Sequence, residues 1–320
     1  MHIFHTIQEI PADFGPSVVT IGNFDGVHRG HQAVLREVIA RARALQAQSV
    51  AVTFDPHPVR VLRPQIPLRL ITQQQQKLAW LQNSGIDAVL VLPFTRELSR
   101  LTAREFARTV LHDSLRAIEV HEGDNFRFGA GADADVSELS QLGEAFGFKV
   151  QAHSPTHRRG KIVSSSAVRH AIAAGNMHEA RQLLGRPFEV LANPAPGRGY
   201  GSRYTVPTIN LAPYKELLPA NGVYITCLQV NGERFESVTN VGNRPTFGED
   251  SFAVETHVLD FHPIALEEST PLRLLFLDRL RQEIEWPSPQ ALKLQIGKDV
   301  ARARHYFALC HAMFGLNSQA

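Results

Sequence analysis

The chain has 320 residues with 33 Lys and Arg against 31 Asp and Glu, a formal net charge of +2, 43% apolar residues and 20% charged ones. That length and mix predict two globular domains, each with its own core, and the scattered charge excludes the basic stripe of a nucleic-acid binder while suiting small phosphorylated molecules. No run of about 18 apolar residues is present to span a membrane, and the distant Cys227 and Cys310 form neither a disulfide framework nor a zinc motif, which fits a reducing cytoplasm.

Met1 to Pro11 lack an apolar stretch of signal-peptide length. Ser17–Ile21 reads as a strand, and Val34, Leu35, Val38, Ile39, Ala42 and Leu45 fall on one face of a helix running from about His31 to Gln46. Between them lies Gly22-Asn-Phe-Asp-Gly-Val-His-Arg-Gly-His31. A strand, a Gly-bearing turn and a helix N-terminus form an anion site, because unpaired backbone N–H groups and the helix dipole meet there. His28 and His31 add imidazole donors to that site and Asn23 an uncharged one. Gly22, Asn23, Phe24 and Gly30 are the accompanying candidates for phosphate contact.

Ser49–Phe54 is the next strand, and it enters Asp55-Pro-His-Pro58, whose prolines predict a stiff, non-helical loop. A helix from about Thr72 to Gln82 and a strand at Ala88–Leu92 follow. Thr102-Ala-Arg-Glu105 is a capping box that opens a helix through about His112. Strand Ala117–Val120 leads into Gly123-Asp-Asn-Phe-Arg-Phe-Gly129, then a helix from about Asp135 to Phe146 and a strand from Phe148 to Ala152. Alternating strands and helices predict a doubly wound parallel sheet of Rossmann-like type, with ligands at the carboxyl ends of its strands. All three polar loops, Gly22–His31, Asp55–Pro58 and Gly123–Gly129, belong to that edge. Further on, Ser164, Ser165 and Ser166 precede a helical run, Ala171 to Leu184; they are either N-caps or, with Arg169, an anion clamp.

Beyond Gly185 the composition changes. Asn193–Gly201 is rich in Pro and Gly, and Gly197-x-Gly-x-Gly201 is either a plain loop or a phosphate contact through Gly197 and Gly199. Strand-like runs at Gly222–Val230, Phe235–Val241, Ala253–Phe261 and Leu272–Leu277, with an Asn231-Gly232 hairpin turn, predict a small antiparallel β-barrel; Leu292, Leu294, Ile296 and Val300 mark a closing helix. In Pro207-Thr-Ile-Asn210, Thr208 and Asn210 alternate with an apolar residue, so both polar side chains face one way and offer hard oxygen ligands for Mg²⁺. Glu255 is either an exposed strand position or a general base.

The His28–His31 string resembles the His-x-Gly-His signature of the nucleotidyltransferase superfamily. In full it looks like the N-terminal half of the bifunctional riboflavin kinase/FMN adenylyltransferase family, the bacterial FAD synthetases. Ser164–Arg169 is similar to that superfamily's Ser-Ser-Thr-x-x-x-Arg motif, which faces the His pair across bound ATP; Ser166 replaces the threonine here. The Lys-Met-Ser-Lys-Ser loop of class I aminoacyl-tRNA synthetases is absent. The resemblance implies nucleotide- and flavin-side contacts for Asp55, His57, Asn125 and Arg127. In the second half, Pro207–Asn210, Asn240–Phe247 and Glu255-Thr-His257 resemble riboflavin kinase motifs.

The resemblance thus implies residues 1–184 as an adenylyltransferase domain and 185–320 as a riboflavin kinase domain. Riboflavin and ATP would give FMN with Glu255 as base and Mg²⁺ at Thr208 and Asn210, and FMN and ATP would give FAD at His28 and His31. Thr205-Val206 stands where the family commonly has Gly-Phe, which motivates an alternative: adenylyltransferase activity only, with the barrel a flavin-binding module. A nucleotide-sensing adaptor for RNA or protein is a second alternative, opposed by the near-neutral charge.

Overall fold

In the computed structural model, which describes residues 1–195, 208–243, 252–260 and 266–314, the chain forms two units, Met1–Ser165 and Ser166–Ala320. The first is built on six strands: β1 (His2–Phe4), β2 (Ser17–Ile21), β3 (Gln48–Asp55), β4 (Ala88–Pro93), β5 (Ala117–Gly123) and β6 (Lys149–His153). They pair in parallel in the order β1-β4-β3-β2-β5-β6. The order reverses at β2, so its carboxyl end is the switch point where a parallel sheet opens a crevice.

Alternation along β2 divides the core. Val18 faces one side with Leu35, Val38, Ile39 and Ala42 of helix α1 (Arg29–Ala44). Val19 and Ile21 face the other, with Phe106, Val110, Leu111 and Leu139. Each such side chain, taken from water, contributes on the order of 1.5–3 kcal/mol. The expected loop is non-helical up to His57, and helix α2 (Pro58–Leu62) begins on its last residue: Pro58 occupies the first helical position, where the missing N–H costs nothing. Helix α3 (Gln74–Asn83) follows. Helix α4 (Ala103–Phe106) starts at the expected Thr102–Glu105 capping box and widens into a π-helix over Ala107–Ser114. Helix α5 (Val136–Phe146) is capped by Asp135, and a small hairpin, β7 (His157–Arg158) and β8 (Lys161–Ile162), ends the unit.

In the second unit the run expected as one helix is two, α6 (Ser165–Ala173, which begins at the division) and α7 (Met177–Leu184). They break at Gly175, whose φ is +74°, and Asn176 caps the second. Seven antiparallel strands follow: β9 (Phe188–Ala192), β10 (Pro194–Ala195), β11 (Thr208–Leu211), β12 (Gly222–Val230), β13 (Glu233–Asn243), β14 (Phe252–Val258) and β15 (Leu272–Gln282). Their order, β10-β11-β14-β13-β12-β15-β9, puts consecutive strands β9 and β10 at opposite edges. Only Asn193 lies between those edges, so the sheet curls round as a barrel.

Helix α8 (Pro289–Phe314) covers the outer face through Ala303 and Phe307 on Val223, Ile225 and Val238. It is tied down by Arg281 donating to the buried Asp299 at 2.9 Å. Inside the barrel, Thr226, Ser237, Thr239 and Thr256 are fully buried and bond one another at 2.7–3.0 Å.

A side chain at Gly175 would be strained, and its Cβ would lie 2.8 Å from Tyr224 Oη and 2.9 Å from Arg279 Nη1. Gly175→Ala is expected to destabilise the second unit by about 1–3 kcal/mol. An unchanged thermal unfolding midpoint would contradict that packing.

Candidate active sites

The loop after β2 turns tightly, with Phe24, Gly26 and Val27 at φ of +48°, +81° and +37°. Its shape is held from inside. The buried Asp25 carboxylate accepts from the backbone N–H of Ile71 at 2.9 Å and of Thr72 at 3.2 Å, and Gly26 N–H donates to Thr72 Oγ1 at 3.1 Å. Ser165 Oγ donates to the Asp25 carbonyl at 2.9 Å. An ionised or hydrogen-bonded carboxylate in that position replaces the backbone partners a tight loop cannot supply itself.

His28 is the N-cap of α1: its Nδ1 accepts from His31 N–H at 3.3 Å, which places the proton of the neutral ring on Nε2. The two rings stack at 3.6 Å between centroids, 13° from parallel, and Phe24 meets His31 edge-on at 5.1 Å. Burial, then the neighbouring His28, then Lys77 hold the His31 pKa well below its usual value, so the ring is neutral at pH 7. His31 Nδ1 is buried without a hydrogen-bond partner among the described residues. Buried polar atoms are as a rule hydrogen-bonded, so this nitrogen has a bonding position that the described residues do not fill. Gly30 is required by the stack, since a Cβ there would sit 3.1 Å from the His28 ring.

These residues line a cavity of about 1880 Å³ at the carboxyl ends of the strands. Part of the lining is polar, with His28, His31, Asn23 and Ser165. Part is an aromatic wall, where Phe54 meets Phe94 edge-on at 5.5 Å and Phe126 stacks on Phe128 at 5.4 Å. Such a cavity suits a polyphosphate on its polar part and a flat ring system on its aromatic wall. Asn125 and Arg127 are on its wall, Arg127 also lying 3.3 Å from Asp135. Around Asp55 and His57 the wall is made by Phe54 and Pro58; His57 instead caps α2 by accepting from Val59 N–H at 3.2 Å. Gly22 lines the cavity and donates its N–H to Val52 O at 2.9 Å; Phe24, 2% exposed, acts mainly by packing beneath α1. Ser166 and Arg169, on α6, fall in the second unit.

Three residues that the motifs did not single out carry much of this geometry: Asp25, Lys77 and Glu122. Glu122, 3% exposed, sits where β5 stops pairing with β2 beyond Val19–Val120. Its carboxyl group accepts from Ile21 N–H and bonds Thr20, taking over the ladder where the strands part. Burial raises its pKa well above the usual carboxylate value. On a neighbouring wall, Arg41 donates to Glu119 at 2.9 Å, and His121 bridges Glu119 (3.3 Å) and His153 (3.0 Å).

In the second unit, Asn210 pairs with Glu255 and Thr208 with His257 across β11 and β14, while Asn240 on β13 flanks Glu255 from the other side. Glu255 and His257 are half-buried, alternating with buried Val254, Thr256 and Val258. A hydroxyl, two amides, a carboxylate and an imidazole therefore share one face. Thr208 and Asn210 also line a cavity of about 360 Å³ with Glu267 and Glu268. The oxygen donors fit a hard cation. Among the described residues no group of three His, Cys, Asp or Glu forms a metal cage. Gly197, Gly199, Thr205-Val206, Pro207 and Arg244–Phe247 lie outside the described residues.

The family profile described as FAD synthetase matches residues 10–167, and that described as riboflavin kinase matches 184–307. The bifunctional riboflavin kinase/FMN adenylyltransferase of Pseudomonas fluorescens is 36% identical, over 95% of this chain and 97% of its own length. That of Escherichia coli K12 is 33% identical, over 95% and 96%. Among solved structures, a protein described as a macrolide-efflux protein from Streptococcus pneumoniae superposes with a TM-score of 0.85 at 27% identity, covering 94% of this chain and 98% of that one. No helix among the described residues here is long and apolar enough to cross a membrane.

Burial favours the neutral acid at Glu122, so Glu122→Gln is expected to fold and Glu122→Ala to lose about 1–3 kcal/mol by orphaning Ile21 N–H. Because the folded-state pKa is raised, the wild-type contribution is full below the unfolded value of about 4.3 and is lost as pH climbs through the folded one. The stability of Glu122→Gln relative to wild type should therefore rise with pH in thermal unfolding. A pH-independent difference would show the group ionised in the fold.

Proposed function

The chain belongs to the bifunctional riboflavin kinase/FMN adenylyltransferase family, and we propose which of its residues perform the two reactions. It phosphorylates riboflavin to FMN and adenylylates FMN to FAD, each time with ATP. The adenylyltransferase-only alternative is not favoured, because the kinase profile and relatives carrying both activities match. The proposed division of labour is residues 1–184 for adenylyl transfer and 185–320 for the kinase, in the cytoplasm.

At the first site an FMN phosphate oxygen attacks the α-phosphorus of ATP, the bond to the β-phosphate oxygen breaks, and pyrophosphate leaves. The observation that supports this assignment is the stacked pair of His28 and neutral His31 on the α1 N-terminus. Uncharged donors in a dry, pre-set position stabilise charge that builds on the α-phosphate and the leaving group without reorganising. Asn23, Gly22 and Ser165 shape the same end. The Phe54–Phe94 and Phe126–Phe128 pairs, with Asn125 and Arg127, receive the flavin.

At the second site Glu255 accepts the proton of the ribityl 5′-hydroxyl as its oxygen attacks the γ-phosphorus and ADP leaves. Thr208 and Asn210 would hold Mg²⁺, whose charge offsets that of the phosphates. Asn210 and Asn240 flank Glu255 and keep its carboxylate on the substrate face.

His31→Ala is expected to reduce FAD formation by on the order of 10²–10³ while FMN formation continues. Glu255→Gln should stop FMN formation and leave conversion of supplied FMN to FAD intact. Chromatographic separation of the flavins reads both, and loss of both activities from either change would refute two separate sites.

A further inference from the structure

Lys77 lies on α3, outside every motif, yet its side chain is 7% exposed. A lysine is rarely buried unless its ammonium is fully used. Here Nζ donates to Thr53 Oγ1 at 3.1 Å, to the Phe54 carbonyl at 3.2 Å and to the Asn23 carbonyl at 3.4 Å. Three donors meet three acceptors, and the acceptors come from two elements. Asn23 belongs to the loop that leads to the His pair. Thr53 and Phe54 close β3, and Phe54 is part of the aromatic wall. Thr53 Oγ1 also bonds Asn23 O at 3.3 Å, so the ammonium joins an existing contact between the same segments.

We propose that Lys77 is a positioning residue for adenylyl transfer: its ammonium clamps the phosphate-end loop to the flavin-end wall, fixing the distance between the two substrates. This rests on the assignment of FMN adenylylation to the first unit. Lys77 touches neither reacting group; it acts through Asn23 and Phe54. Titratable groups face it from each packed element: Asp25 in the loop, Asp55 at the end of β3, and the neutral His31, itself beside His28, on α1. The carboxylates favour the ammonium but burial outweighs them, bringing its pKa down to about 8. Below that value three N–H donors are present. Above it the amine keeps two and turns a lone pair towards a carbonyl, so the clamp loosens. A pH change just above neutrality thus reaches the first site without titrating any group in contact with substrate.

The full-length chain tests this with both activities assayed side by side, thermal unfolding followed by circular dichroism reporting that both units are folded. Lys77→Met should lower the rate of FAD formation by on the order of 10–10²-fold with FMN formation unchanged, as misplacement of two reactants does. Wild type should show an alkaline limb in FAD formation near pH 8, absent from FMN formation, and Lys77→Arg, charged throughout, should remove that limb. FAD formation unaltered in Lys77→Met, or the same alkaline limb in Lys77→Arg, overturns the proposal. If the variants fail to fold, the wild-type pH profiles decide: an alkaline limb confined to FAD formation supports the clamp, and no limb, or the same limb in both activities, overturns it. Wild type that makes no FAD from FMN would instead defeat the assignment of the activity.

Discussion

Asp25 accepts from the N–H groups of Ile71 and Thr72 deep inside the first unit, and the loop that follows β2 has its shape because of that carboxylate. Backbone at positive φ is costly at Phe24 and Val27, though free at Gly26, and it persists only where surrounding contacts over-determine it. Thr72 bonding Gly26, and Ser165 bonding the Asp25 carbonyl, supply the rest of that constraint. From a loop so held, α1 begins at a defined point, and His28 and His31 are stacked one turn apart on its first residues. Burial then keeps His31 neutral. The chemistry of the site is a consequence of the turn.

The second unit reaches its site by register. A shift of one residue between β11 and β14 would move Glu255 and His257 to the barrel interior and Val254 or Thr256 out. The interior resists such a slip, because Thr226, Ser237, Thr239 and Thr256 satisfy one another there and no carboxylate could join them without a partner. Asn210, Glu255 and Asn240 consequently fall in one row across three strands. Buried hydroxyls on one face thus align a row of polar groups on the other.

Strong periodicity was legible in the sequence. The strand run Gly222–Val230, the apolar stripe of α1 and the Thr102–Glu105 capping box all appear in the fold as read, and so do the edge loops around the first cavity. The short helix that Pro58 opens was not read, because proline at a first helical position favours a helix that proline elsewhere forbids. Gly175 was overlooked because a break between two short helices leaves their combined apolar pattern nearly intact. Glu122 and Lys77 could not be found by motif: each acts through a backbone partner distant in sequence, and only the fold brings Glu122 to Ile21 or Lys77 to Asn23. Asp25 was visible inside the Gly22–His31 string, but nothing in the string shows that its carboxylate points inward. Thr208, Asn210 and Glu255 were legible as residue types, whereas their pairing is a property of strand register.

A crystal structure of the chain with FMN and the ATP analogue whose α,β-bridging oxygen is replaced by methylene tests the central claim most directly. The account requires the triphosphate to lie on the α1 N-terminus within hydrogen-bond distance of His28 and His31, with the isoalloxazine ring against the Phe54–Phe94 and Phe126–Phe128 wall. Analogue bound with its phosphates elsewhere in the first unit, the two imidazoles still stacked and out of reach, would contradict it.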